Sequence, residues 1–332
     1  MRPEPGQQAG PAAAARNDAG CRLCDIARSL LGRLAYTLLV LFIVATVAFI
    51  GLRLAPGDVT TQIVDPMRVT PEELEALRRE LGLDQPVLTQ FRDYILGLVT
   101  GDFGVSLLTR EPVADIVLNA GAYTLMLAVS AFTLTFALAI PLGLMAARMR
   151  GSLVDRSIMG FSAVLMALPN FVLAILLINL LALQAGLLPV AGTGTWKHLV
   201  LPVIVLATEP LAFATRLVRA SYLEQASAPY AEALRLRGIA ERLVRWRHIL
   251  RNALLPVISL AAVQVRTLVG YTLIIEVIFR WPGLGKRLVD SILARDYQVA
   301  QGLTILLALV VVIATLVSAV AYRLADPRVR DT

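Results

Sequence analysis

Residues 116–147 read IVLNAGAYTLMLAVSAFTLTFALAIPLGLMAA, thirty-two residues without a single Asp, Glu, Lys or Arg. A helix crosses the hydrocarbon core of a bilayer in about 20 apolar residues, so this stretch is long enough to span with residues to spare. Charge is also absent from Leu34 to Leu52, from Ser157 to Trp196 and from Tyr297 to Tyr322. Over the full 332 residues 57% are apolar and 17% charged, against about 45–50% and about 25% in a soluble globule. The excess is gathered into blocks rather than spread evenly. A soluble enzyme is excluded, and the chain reads as an all-α polytopic membrane protein.

Six spans are predicted, at about 33–53, 118–146, 157–184, 199–222, 256–278 and 298–322. The cluster Gly186, Pro189, Gly192 and Gly194 ends the third before the fourth begins. Pro141, Pro169, Pro202 and Pro210 are candidate kinks. Residues 1–32, rich in Ala, Pro, Gly and Arg, read as a disordered leader rather than a signal peptide. Its Cys21 and Cys24 form a lone C-x-x-C without the further ligands that a zinc site needs, so no metal site is assigned.

The net charge of +7 has a topological origin. Residues 1–33, 147–156, 216–251 and 323–332 lie on one side of a six-span chain and hold 19 of its 31 Lys and Arg. The other side, 54–117, 185–198 and 279–297, holds 10 basic residues against 13 acidic ones. Cytoplasmic loops carry the basic excess, which predicts cytosolic termini, a cytosolic tail at 323–332 and an external segment at 54–117. In that segment Thr70-Pro71-Glu72-Glu73 opens a helix and Gly82 stops it; Val87 to Leu98 forms a second amphipathic helix. Two readings of it are open, a packed cap over the helix ends or a docking surface.

The predicted cytosolic loop, Arg216 to Leu255, carries eight arginines, no lysine and three glutamates among apolar residues at helical spacing. Such a basic amphipathic pair can lie on anionic headgroups. Its wording is more particular. Pro229-Tyr230-Ala231-Glu232-Ala233-Leu234-Arg235-Leu236-Arg237-Gly238, followed by Arg247-His248-Ile249-Leu250-Arg251-Asn252-Ala253-Leu254-Leu255-Pro256, resembles the EAA loop of ATP-binding-cassette (ABC) importer permeases, in the dipeptide, oligopeptide and nickel family. Two positions depart from the family pattern: Pro229 replaces an Asp, and Leu234 an alanine.

Further matches run in order from about residue 33 to 330. They are Leu54-Ala55-Pro56-Gly57-Asp58, Leu81-Gly82-Leu83-Asp84-Gln85-Pro86, Gly101-Asp102-Phe103-Gly104-x-Ser106, Pro112-Val113, Glu276-x-x-Phe279-x-Trp281-Pro282-Gly283-Leu284-Gly285, Ala294-Arg295-Asp296-Tyr297 and Asp326-Pro327-Arg328-Val329-Arg330.

The resemblance implies a type I importer permease fold, with an extracytoplasmic helical cap at 54–117 and a core at 118–322 that contains a coupling loop at 224–255. It implies a multi-pass subunit of the bacterial inner membrane that works by alternating access. The partners implied are a homologous permease, two ABC ATPases and an external substrate-binding protein. ATP and magnesium would be held by the ATPases, and no cofactor by this chain. Gly285-Lys286 is followed by Arg287 and has Arg280 five positions before Gly285, so it is not a phosphate-binding loop.

Tyr230, Glu232, Ala233, Arg235, Arg237, Gly238, Arg242, Arg247 and His248 fall where the family's coupling loop meets the ATPase. Glycine at 238 permits a tight turn and close backbone approach, and the arginines suit carboxylates on a partner. Glu276, Trp281, Pro282, Gly283 and Gly285 form the motif at the external gate. Dipeptides and oligopeptides are the implied cargo, nickel or a metal chelate the alternative.

Ionisable residues inside spans are functional candidates by default. Glu209 and Arg266 fall near the middle of the fourth and fifth spans. They fit either an ion pair, within one subunit or across a dimer seam, or the wall of a translocation path. Gln264 and Asn170 add hydrogen-bonding groups, with interhelical packing as the plainer role. The same two charges would serve an ion-coupled secondary carrier, a different class of machine. Such carriers often carry internal repeats, and none is evident here.

Overall fold

A computed structural model describes Gly32 and residues 35–54, 71–80 and 84–325. The leader with Cys21 and Cys24, the residues 55–58 after the first span, Leu81-Gly82-Leu83 and the tail from 326 lie outside the described residues. The described residues form α1 Ala35–Leu54, α2 Pro71–Glu80, α3 Val87–Thr100, α4 Val113–Arg148, α5 Leu153–Ala167 and α6 Asn170–Leu177, which runs on as a π-helical turn Ile178–Gln184. Then come α7 Lys197–Ala226 and α8 Pro229–Leu236. The next helix, α9, comprises Glu241–Leu243, a π-helical turn Val244–Ile249 and Leu250–Ala253. The chain continues as α10 Leu255–Ile278, α11 Leu284–Leu293 and α12 Tyr297–Ala325.

Five of the predicted spans coincide with single long helices or their apolar parts. The third does not. Residues 157–184 are split between α5 and α6, which meet at 103°. Pro169 is the cause: the residue before a proline is pushed out of the helical region, and Leu168 is extended at φ −90°, ψ 121°. Pro141, Pro202 and Pro210 lie inside continuous helices, so of the four candidate kinks only Pro169 marks a break.

The centre of the bundle is α7, packed along α4. The seam between them is lined by small residues, which let helix backbones approach when no hydrophobic force separates protein from lipid. Ala131, Ala139 and Ala146 of α4, and Ala207, Ala212 and Ala214 of α7, are buried. Gly143 has no room for a side chain, since a Cβ there would sit 2.6 Å from Cβ of Val218 and 2.7 Å from the Thr215 carbonyl oxygen.

Around this seam lie three apolar clusters. The middle one joins Leu127, Leu201, Leu206, Ile275 and Phe279. A second, at the arginine-rich end, joins Leu144, Val218, Tyr222, Ala231, Val244 and Ile249. A third, at the opposite end, joins Val113, Val117, Leu284, Val299 and Leu303. The segment between the first two spans is packed, at least in part. Phe91 and Tyr94 of α3 pack on Phe49 of α1 at ring distances of 5.0 and 5.7 Å, and Phe91 also meets Phe42 at 6.4 Å, so α3 lies along α1.

Candidate functional site

The arginine-rich loop is built on proline and glycine. Ala228 is extended and Pro229 takes the first helical turn of α8, where its missing N–H is no loss. The departure from the family pattern at this position is thus compatible with helix entry. Ala231 plugs α8 into the cluster with Tyr222, Val244 and Ile249, while Glu232, Ala233, Arg235, Leu236 and Arg237 stay exposed. Leu236 is 83% exposed, an unusual position for an apolar residue at the tip of a charged loop.

Gly238 then reverses the chain at φ +76°. Its N–H bonds to the Arg235 carbonyl at 2.9 Å, and the Ile239 N–H to the Leu234 carbonyl at 3.2 Å. A Cβ at Gly238 would meet nothing within 4 Å. The glycine is required by backbone conformation, and close approach by the chain itself plays no part. Tyr230 Oη donates to Gln225 Oε1 at 3.1 Å and steadies the entry.

The arginines divide into two groups. Arg235 and Arg245 converge on Glu241, at 3.1 and 2.7 Å, and Arg235 also caps the Ala226 carbonyl at 3.3 Å. Arg237, Arg242 and Arg247 are exposed and have no ion pair among the described residues. His248, half-buried, follows them on the π-helical turn of α9. Trp246 is covered by the Arg148 guanidinium, 4.7 Å from the ring centre.

At the opposite end, the second motif closes on itself. Glu276 is wholly buried. Its Oε1 accepts from Thr124 Oγ1 at 2.6 Å, and its Oε2 from the N–H groups of Gly285 and Lys286 at 2.7 and 3.2 Å. Thr124 Oγ1 in turn accepts from the Leu284 N–H at 2.8 Å. The first three N–H groups of α11, which have no partners within the helix, are therefore capped by side chains of α10 and α4.

Gly283 makes room for this: a Cβ there would lie 2.2 Å from Glu276 Oε1. Gly285 lets α11 press on α10, since its Cβ would fall 2.6 Å from Cα of Leu273. Trp281 is buried beside Pro282, with its indole N–H on the Tyr123 carbonyl at 3.0 Å.

A parallel arrangement joins two other quoted stretches. Buried Asp296 precedes α12 and accepts from Ser106 Oγ and from the Leu107 N–H at 3.3 Å. The side-chain Oε1 of Gln298 accepts from the Val105 N–H at 3.1 Å. Ser106 and Asp296 are 190 residues apart.

The intramembrane candidates do not assemble. No ion pair joins Glu209 to Arg266 among the described residues, so the reading of a bridge within one subunit is not met. Glu209 is half-buried on α7 and Arg266 exposed on α10. The face of α10 that carries Arg266 is largely apolar, with Ile258, Val263 and Ile274 about half exposed and the hydroxyls of Ser259 and Thr267 turned back onto carbonyls of their own helix. Asn170, at the elbow after Pro169, and Gln264 each bury a side-chain amide oxygen that has no hydrogen-bond donor among the described residues. Sequence reasoning missed Thr124 and the Asp155–Arg219 pair, and quoted Ser106 and Asp296 in separate stretches without pairing them. Their residue types are ordinary in a span or at its edge, and only the fold brings each to its partner.

An all-helical bundle with one bent span, a helical segment packed along the first span and an arginine-rich helical loop has the architecture of an ABC-transporter permease subunit. Among solved structures, the inward-facing MetNI methionine ABC transporter matches with a TM-score of 0.52 at 19% identity, over 64% of this chain and 96% of the other. The chain belongs to the family of binding-protein-dependent transport system inner membrane components: that family's model matches residues 139–331, and the model of its N-terminal region residues 26–128. It is 36% identical over 290 residues to the glutathione transport system permease protein GsiC of Escherichia coli K12, covering 87% of this chain and 94% of that protein. The same protein of Shigella flexneri is 35% identical over the same length.

Proposed function

We propose that this permease forms half of the translocation path of an importer for short peptides, glutathione among them. The single observation that carries the cargo is the likeness to glutathione permeases across nearly their whole length. In this reading the arginine-rich end faces the cytosol, as the positive-inside rule requires. The exposed ridge of Leu236, Arg237, Arg242 and Arg247 seats in a partner ATPase. A ligand shifts a conformational equilibrium only through differential contact with its two states, and a rigid helix braced by Ala231 supplies such a contact to nucleotide binding elsewhere.

Glu276, Trp281, Pro282, Gly283 and Gly285 brace the external end of the path. A second permease, homologous to this one, supplies the other half, and a binding protein delivers cargo to the external end. Arg266, on an apolar face where lipid contact would cost roughly 3 kcal/mol, faces the water-filled path, where a carboxylate of the peptide is its partner. Deleting the chain from its host and measuring uptake of labelled glutathione, a dipeptide and a nickel chelate tests the cargo. Loss of peptide uptake alone supports the proposal, whereas loss of nickel-chelate uptake alone moves the chain to the metal branch.

A further inference from the structure

A second site lies between α5 and α7 at the arginine-rich end. There a cavity of about 730 Å³ opens to the bundle surface, lined by Asp155, Arg156, Arg216 and Arg219 and by apolar walls that include Met159, Met166 and Phe213. The charges do not balance. Asp155 is held in a two-pronged pair by Arg219, at 2.6 and 2.7 Å, and also accepts from the Gly151 N–H at 2.9 Å. It is the only carboxylate lining the cavity, and Arg219 satisfies it. Among the described residues Arg156 and Arg216 have no ion pair, and the polar contact of Arg216 is to Sδ of Met166 at 3.7 Å.

Their height matters. Arg156 immediately precedes the charge-free run that starts at Ser157, and Arg216 is the first charge after Glu209 on the way out of the fourth span. Both backbone positions therefore fall near the headgroup level, with Met159 and Phe213 three residues further in on each helix, and the Arg216 side chain reaches along this wall to the Met166 sulfur. Phe213 and Met166 are 46% and 41% exposed, an apolar slot open to the bilayer.

We infer that this cavity is a binding site for one anionic phospholipid, with Arg156 and Arg216 on its phosphate and its acyl chain along Met159, Met166 and Phe213. Basic pockets between helices at a membrane face suit anionic headgroups in this way. The two-pronged Asp155–Arg219 pair, with its carboxylate buried, ties α5 to α7 and so bounds the width of the slot.

Native mass spectrometry of the purified, delipidated full chain, titrated with phosphatidylglycerol or phosphatidylcholine of identical acyl chains, tests this. Phosphatidylglycerol should be preferred, and the R156Q/R216Q double variant should lose about tenfold or more of that binding, as two surface arginines would. R156K/R216K keeps the charge and should retain most of it, which separates charge from misfolding. R251Q, a basic residue of the same end outside the cavity, should bind as the parent does. Equal binding of both lipids, an equal loss in R251Q, or displacement of phosphatidylglycerol by soluble glycerol phosphate at matching concentration would overturn the proposal.

Discussion

Thr124 and Glu276 stand 2.6 Å apart on α4 and α10, and between them they satisfy the first three backbone N–H groups of a third helix, α11. A buried carboxylate used as a cap for another helix is hard to replace, because every substitution leaves donors without an acceptor. Glu276→Ala strands the Thr124 hydroxyl and two N–H groups, at about 1–3 kcal/mol for each unsatisfied buried group. Thermal unfolding in detergent should show a large loss for Glu276→Ala and a smaller one for Glu276→Gln, which keeps one acceptor oxygen. Equal stability of all three proteins would contradict the capping role.

Gly285→Ala tests the packing of the same corner without touching the carboxylate. The added methyl meets backbone of α10, which cannot move aside as a side chain would, so a destabilisation of about 1–3 kcal/mol is expected from overpacking. Gly270→Ala, where nothing lies within 4 Å, is the control and should unfold at the parent temperature or above.

The arginine-rich loop separates conformation from contact. Gly238→Ala forces a β-carbon into a left-handed turn, at a cost of roughly 1 kcal/mol, and should lower uptake modestly. Gly238→Trp adds bulk on a surface that is open in the chain alone. It should insert normally yet abolish uptake if a partner is seated there. Uptake by Gly238→Trp equal to that of Gly238→Ala would show that no partner approaches this turn.

Glu241 predicts an asymmetry among the arginines. Arg237→Gln and Arg247→Gln remove cations free to meet a partner and should weaken stimulation of the ATPases by the permease. Arg245→Gln removes one already neutralised within the loop and should have a smaller effect. The measurement is ATP hydrolysis by the reconstituted complex, and equal losses in all three would reject the division.

Asp155 stands two residues before the charge-free run that begins at Ser157. The Arg219 guanidinium, with the Gly151 N–H, holds its carboxyl at about 2, below the ordinary aspartate value of about 4. A pKa lowered by folding contributes stability that is complete above the unfolded value and is lost as pH falls through the folded one. The gap in unfolding temperature between the parent and Asp155→Asn should therefore be constant from pH 5 to 8 and close as the pH approaches 2.

The spans were legible because apolar length and missing charge leave little else for a chain to do in a bilayer. The helices between the first two spans were legible too: Pro71 with Glu72 and Glu73 opens α2, and the reading of Val87 to Leu98 falls within α3, which runs two residues further to a left-handed Gly101. The elbow at Pro169 was not, because a proline inside an apolar run is as compatible with a continuous helix, as at Pro141, as with a break. Whether the freed backbone finds partners depends on neighbouring helices. Glu209 and Arg266 illustrate the reverse case. Similar depth in sequence says nothing about which way each side chain faces, and Glu209 is half-buried while Arg266 is exposed. The motifs around Glu276 and Asp296 could be quoted from the sequence, but their purpose could not, since Thr124 and Ser106 sit 152 and 190 residues away.

The buried carboxylate also sets an order of events during synthesis. Chains emerge from the ribosome N-terminal end first, so Thr124 is in place long before Glu276, while Gly285 follows nine residues later. For that short interval the tenth helix carries an acid with only one of its donors available.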